Sequence, residues 1–107
     1  MNSVSSNAVF SYVVDSVLFQ DFRDDNFLPS HYLDKCFREK KCVFLEFKDG
    51  SVIGISASPN FFVMLITLVP WTNFSGGVPV QIVMKSDACW QRYAVDDSTW
   101  SSWKQVY

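Results

Sequence analysis

The sequence predicts a mainly β fold, with a short N-terminal helix followed by a small antiparallel sheet or sandwich domain. Three observations carry that prediction. Short runs rich in β-branched and aromatic residues recur at 42–47, 61–69 and 89–95. Polar turn sequences separate such runs, at Asp49-Gly50, Lys85-Ser86-Asp87 and Asp96-Asp97-Ser98. Near the start, by contrast, residues repeat at spacings of three and four.

That first segment reads as a helix. Ser5 or Ser6 supplies an N-cap. Val9, Tyr12, Val13, Ser16 and Val17 then share one helical face, and Phe10, Val14 and Leu18 form a second apolar stripe. A helix apolar over most of its circumference is not a lone surface helix. It packs either on its own sheet or in a short coiled-coil seam between identical chains. Its place at the end of the chain favours the seam, with Val9, Tyr12, Val13, Ser16 and Val17 as the oligomer interface. The polar stretch 21–26, with Asp24-Asp25-Asn26, ends it as a linker. The division expected is therefore helix and linker over 1–26 and an antiparallel β domain over 27–107.

Within the β domain, Leu28-Pro29-Ser30 reads as a turn, and 31–37 fits either a strand or a helical turn. The run 42–47 is a strand. Asp-Gly between two apolar runs is a strong hairpin signal, so a type I′ turn with positive φ at Gly50 and a return strand at 52–55 are expected. Residues 56–60 break that strand. A core strand follows at 61–69, then a loop over 70–77 holding Trp71, Phe74 and Gly76-Gly77. Strands at 78–84, 89–95 and 99–106 complete the series. Pro79 stands near the start of the first of these, where a missing donor costs little. Consecutive strands with short links imply an antiparallel meander.

Composition narrows the function. A chain of 107 residues with 49% hydrophobic and 19% charged residues forms one ordered domain. Aromatic residues make up 17%, more large apolar surface than so short a chain readily buries alone. Part of it is expected to face a partner, a symmetry mate or a ligand. A net charge of -2 with no basic block gives nucleic-acid binding no electrostatic basis. The most apolar stretch, 61–70, is too short to cross a bilayer as a helix, so no membrane insertion is expected. The N-terminus lacks a basic region followed by an apolar run, so it is not a signal peptide. Cys36, Cys42 and Cys89 are an odd number at no metal-like spacing and read as reduced thiols of a protein folded in a reducing cytoplasm.

No catalytic constellation is evident. His31 beside Ser30 makes no triad by adjacency, and reads as an exposed turn residue. Asp24-Asp25 and Asp96-Asp97 are turn or linker chemistry, since adjacent side chains on extended backbone diverge. Asp87, Asp96 and Asp97 lack EF-hand spacing. No phosphate-cradling Gly-rich loop and no Cys/His cluster occur. The expectation is a protein that is not an enzyme and takes no cofactor or metal.

The C-terminal residues carry a resemblance. Trp90-Gln91-Arg92-Tyr93, then Asp96-Asp97-Ser98-Thr99-Trp100-Ser101-Ser102-Trp103-Lys104-Gln105-Val106, resembles the terminal hairpin of knob-type domains in bacteriophage tail fibres and tailocin fibres. The stretch Ser3-Val4-Ser5-Ser6-Asn7-Ala8-Val9 is similar to a linker that opens a short helix in phage fibre proteins. Together they cover roughly a quarter of the chain. The resemblance implies a receptor-binding fibre tip, usually a homotrimer, carried on the virion after assembly in the host cytoplasm. Its implied partners are other tail or fibre proteins and a bacterial surface glycan or receptor. With no long shaft or virion-anchoring region, the chain reads as a distal fragment or a small tip protein on another fibre.

On an extended strand Trp90 and Arg92 share one face, and Gln91 and Tyr93 the other. An Arg beside indole rings stacks by cation–π attraction. The tryptophans fit core or subunit-interface packing, and they also fit a sugar-stacking platform. Trp71, followed by Asn73, is the better placed for the second, because loops on rigid sheets carry binding residues. The ligand-binding candidates are thus Trp71, Asn73, Trp90, Arg92 and Tyr93. The alternative is a structural assembly module whose aromatics form the trimer core.

Overall fold

A computed structural model describes residues 17–107. They form one mixed sheet of seven strands with one α-helix and a short 3₁₀ turn. The elements run β1 (Val17–Asp21), α1 (Pro29–Glu39), β2 (Val43–Asp49), β3 (Phe62–Leu68), β4 (Val80–Lys85), β5 (Ala88–Asp96), β6 (Thr99–Trp100) and β7 (Lys104–Gln105). The sheet order is β1-β2-β3-β4-β5-β6, with β7 also on β5. The mainly β class therefore holds, and β2 to β5 form the antiparallel meander that short links imply.

Four expectations are corrected. First, β1 pairs parallel to β2, with Val17 opposite Val43, so the sheet is mixed. Parallel neighbours need a crossover, and α1 supplies it. Val17 and Leu18 thus begin a strand, whereas Val9, Tyr12, Val13 and Ser16 lie outside the described residues. Second, a single sheet stands where a sandwich was one expectation. Third, no hairpin closes at Asp49-Gly50. β2 pairs directly with β3, Asp49 opposite Phe62, and 50–61 is a long folded-back loop. Positive φ in this loop falls on Gly54 at 87° and Asn60 at 66°, not on Gly50. Fourth, 99–106 is broken into β6 and β7, and the pairing of β5 with β6 shifts register between Ala94 and Asp96.

The ambiguous stretch 31–37 is helical. Pro29 sits in the first turn, where its fixed φ helps and its missing N–H is no loss. Pro29, Tyr32, Leu33 and Cys36 are buried at spacings of three and four, so one stripe faces the sheet. Asp34–Arg38 and Lys35–Glu39 pair along the exposed side. Lys40 ends the helix in the left-handed conformation, its N–H bonded to the Cys36 carbonyl.

One face of the sheet is covered. Tyr32, Leu33 and Cys36 of α1 pack on Phe44 and Val69, with Phe27, Phe74 and Trp100 around them. Beside that cluster, the 50–61 loop lays Ile53 on Val63, Leu65 and Val83, with Trp90 and Trp103 at its margin. Gly50 permits the fold-back. Its N–H donates to the Phe61 carbonyl at 2.6 Å, and a side chain there would meet the Phe61 ring.

Candidate functional site

A polar band lies between the two apolar clusters, on the covered face. Thr67, Gln81 and Arg92 stand opposite one another on β3, β4 and β5. Gln81 Nε2 donates to Thr67 Oγ1 at 3.0 Å, and Arg92 Nε donates to Gln81 Oε1 at 2.7 Å. A second Arg92 nitrogen donates to Asn26 Oδ1 at 2.9 Å. On β2, Glu46 accepts the Tyr32 hydroxyl at 2.7 Å and faces the Lys48 ammonium at 3.4 Å. Lys48 also donates to the Asp25 carbonyl at 2.6 Å.

Arg92 is only 6% exposed, and its guanidinium sits 4.4 Å from the Trp103 ring and 4.9 Å from the Trp100 ring. The cation–π contact foreseen for Arg92 is made, but with Trp100 and Trp103. These two reach the same cation because the chain between them leaves the strand path. Each indole N–H is satisfied, Trp100 by the Phe27 carbonyl at 2.8 Å and Trp103 by the Ile53 carbonyl at 2.7 Å. Burial lowers the Arg92 pKa to about 10, which leaves it cationic at neutral pH. Burial likewise holds the Lys48 ammonium below its usual range, against the pull of Glu46. This band is internal, and within it, among the described residues, Glu46 Oε2 makes no hydrogen bond and only faces the Lys48 ammonium.

The other candidates stand elsewhere. Tyr93, 52% exposed, points to the opposite face of the sheet. Trp90 is half-buried against the Ile53 cluster. Trp71 is 55% exposed in the loop between β3 and β4. The five residues therefore form no single surface. Trp71 and Asn73 share the loop, while Trp90 and Arg92 belong to the packed side.

The Trp71 loop is braced from within. Asn73 Oδ1 accepts the Ser75 N–H at 2.9 Å and also the Ser75 hydroxyl, capping the 3₁₀ turn Phe74–Gly76. Phe74 packs inward on the α1 cluster. Gly76 lies under Trp71 so closely that any side chain there would collide with it. Gly77, at φ 115°, sits against the Pro70 ring. The indole is thus presented outward from a held backbone.

Two concavities flank Pro70. A shallow cavity of about 290 Å³ lies on the helix side, lined by Cys36, Lys40, Cys42, Val69, Pro70, Trp71 and Thr72. A larger apolar one of about 630 Å³ lies towards the open face of the sheet, with Leu68, Val80, Ile82 and Gln91 in its wall. The chain matches no protein-family model, no curated protein and no solved structure.

The remaining chemistry is sparse. Cys36, Cys42 and Cys89 are thiols, and burial raises the Cys36 pKa. Among the described residues no cluster of three His, Cys, Asp or Glu side chains is placed to hold a metal ion. His31 lies on α1, half-buried and stacked on Phe27 at 3.8 Å, not in an exposed turn. No described helix is long and apolar enough to cross a membrane.

Proposed function

We propose that the chain is a non-catalytic recognition module of the fibre-tip kind, binding a bacterial surface glycan or protein through the Trp71 loop. One observation supports this most: an exposed indole on a braced loop, with Lys40 and Thr72 beside it and a concavity at its foot. A sugar ring stacks its C–H face on an indole, and its hydroxyls need neighbouring donors and acceptors. Bracing matters because an aromatic held in place loses little entropy on binding. The C-terminal resemblance to phage and tailocin fibre knobs supports reading such a module as a virion part, in company with other fibre proteins.

A second reading is a structural assembly module. It is favoured by Trp90, Trp100 and Trp103, which all serve internal packing. The two readings differ at Trp71, which a recognition module keeps accessible in the assembled particle. The purified chain, applied to a glycan array and to whole bacterial cells, tests the proposal. Saturable binding with a change in tryptophan fluorescence is expected. Folded protein that binds neither supports the assembly reading.

A further inference from the structure

The sheet has a second face, and the described residues leave it open. Register puts Phe19, Phe47, Met64, Ile66, Leu68 and Met84 on it together. Of these, Phe19 and Met84 are each 59% exposed. β3 carries apolar side chains on both of its faces, the pattern of strands buried on both sides. Its covered face meets the Ile53 cluster; its open face meets no described layer. At roughly 200 Å² per large side chain, the exposed fractions of Phe19, Phe62, Met64, Leu68, Met84 and Tyr93 leave on the order of 600 Å² of largely apolar surface.

We infer that this face is where a second copy of the chain packs. Size is the first argument. The patch is at the upper end of what a monomer exposes, and approaches the ~800 Å² per partner of a stable interface. Composition is the second. Interfaces between identical subunits are the more apolar ones, whereas transient partners meet on surfaces of ordinary polarity. Charge is the third. A contact between identical faces carries every unpaired charge into the interface twice, once from each copy, so a face poor in unpaired charge suits it. Several charges at its margins are held: Asp21 by Arg23 at 2.7 Å, Lys85 by Asp87 at 3.2 Å and Asp49 by Ser51 at 3.0 Å, while Lys104, opposite Gln91, stands at the β7 edge of the face. The Arg23 guanidinium lies over the Phe47 ring at 4.7 Å, closing that end of the face. The inference is independent of what Trp71 binds.

The test is the mass of the full chain in solution by sedimentation equilibrium, for the wild type and for Met84→Glu and Met64→Glu. Both side chains are exposed, so a carboxylate disturbs the contact more than the fold. The wild type is expected at an integral multiple of 12.3 kDa at micromolar concentration, and each variant at 12.3 kDa with an unchanged circular dichroism spectrum. Oxidative footprinting of the wild type gives a second readout that needs no variant. Met64 and Met84 are expected to be protected in the oligomer and to react on dilution. A wild type that sediments as a monomer overturns the inference. Variants that keep the wild-type mass, or an oligomer whose Met64 and Met84 oxidise freely, place the contact elsewhere and overturn it equally.

Discussion

The Tyr32 hydroxyl donates to Glu46 Oε1 at 2.7 Å, and this bond fastens α1 to the sheet between two residues fourteen apart in sequence. Both groups are buried, so neither has water to fall back on. Burial, then the charge of Glu46, pushes the Tyr32 pKa far upward, so the phenol stays a donor. Tyr32→Phe removes the donor and leaves the carboxylate. The expected cost is about 1–3 kcal/mol, seen as a lower urea midpoint. An unchanged midpoint contradicts the role given to this bond.

Arg92→Lys is not a conservative change here. One guanidinium serves Gln81 and Asn26 through two nitrogens while lying between Trp100 and Trp103. An ammonium offers no flat surface to the indoles and no fork for two acceptors. A loss of roughly 1–3 kcal/mol is expected, with a shift in tryptophan emission. Wild-type stability and emission in the variant would show that the band holds together without Arg92.

Gly50→Val tests the fold-back at the end of β2. The penalty is steric, because the new Cβ meets the Phe61 ring at 2.6 Å and its carbonyl at 3.0 Å. Thermal melting should fall by several degrees, consistent with roughly 1–3 kcal/mol of overpacking. Phe61→Ala in the same chain should recover part of the loss. A double variant no better than the sum of the singles speaks against a clash between the two.

His31 makes stability depend on pH. Burial, then the Lys35 ammonium, holds its folded pKa below the usual 6.5, with Lys48 adding to this and Glu46 and Asp34 opposing it. Below the unfolded value the unfolded chain takes up a proton that the folded chain refuses. Stability therefore falls as pH drops from 6.5 to the folded pKa, and is level above. His31→Phe keeps a ring on Phe27 and removes the proton. Melting temperatures between pH 8 and pH 5 should decline in the wild type and decline less in the variant. Parallel profiles would remove His31 from the account.

Much of this fold was legible in the sequence, for reasons that can be named. The strands at 61–69, 78–84 and 89–95 could be read because β-branched and aromatic residues cluster between turn sequences, and β3, β4 and β5 lie there. α1 was ambiguous because Leu28-Pro29-Ser30 looks like a turn, although Pro in a first helical turn is equally a start signal. The Asp49-Gly50 pair misled, because Val52 and Ile53 continue an apolar run that a loop also uses to cover a core. Parallel pairing of β1 with β2 is non-local and leaves no trace in spacing.

The site was legible in a narrower sense. An exposed Trp71 followed from two aromatics in a loop, and Arg92 beside an indole followed from Trp90 two residues before it on the strand, although Trp100 and Trp103 make the contact. Burial of Arg92 did not follow, since it depends on Gln81 and Asn26 coming from distant segments. Glu46 and Lys48 alternate with Leu45 and Phe47 in a strand pattern that normally places charges outward. Only α1 and the segment 25–27, closing over that face, put them inside.

The central claim is that Trp71 is a contact residue and not a packing residue. The direct measurement is whole-cell binding by wild type and Trp71→Ala, with melting temperature and solution mass recorded on the same samples. Truncating an aromatic anchor at a binding surface costs about 2 kcal/mol or more, so binding should weaken at least tenfold while melting and mass stay as in the wild type. A variant that binds as before, or that loses binding only because it no longer assembles or folds, contradicts the account.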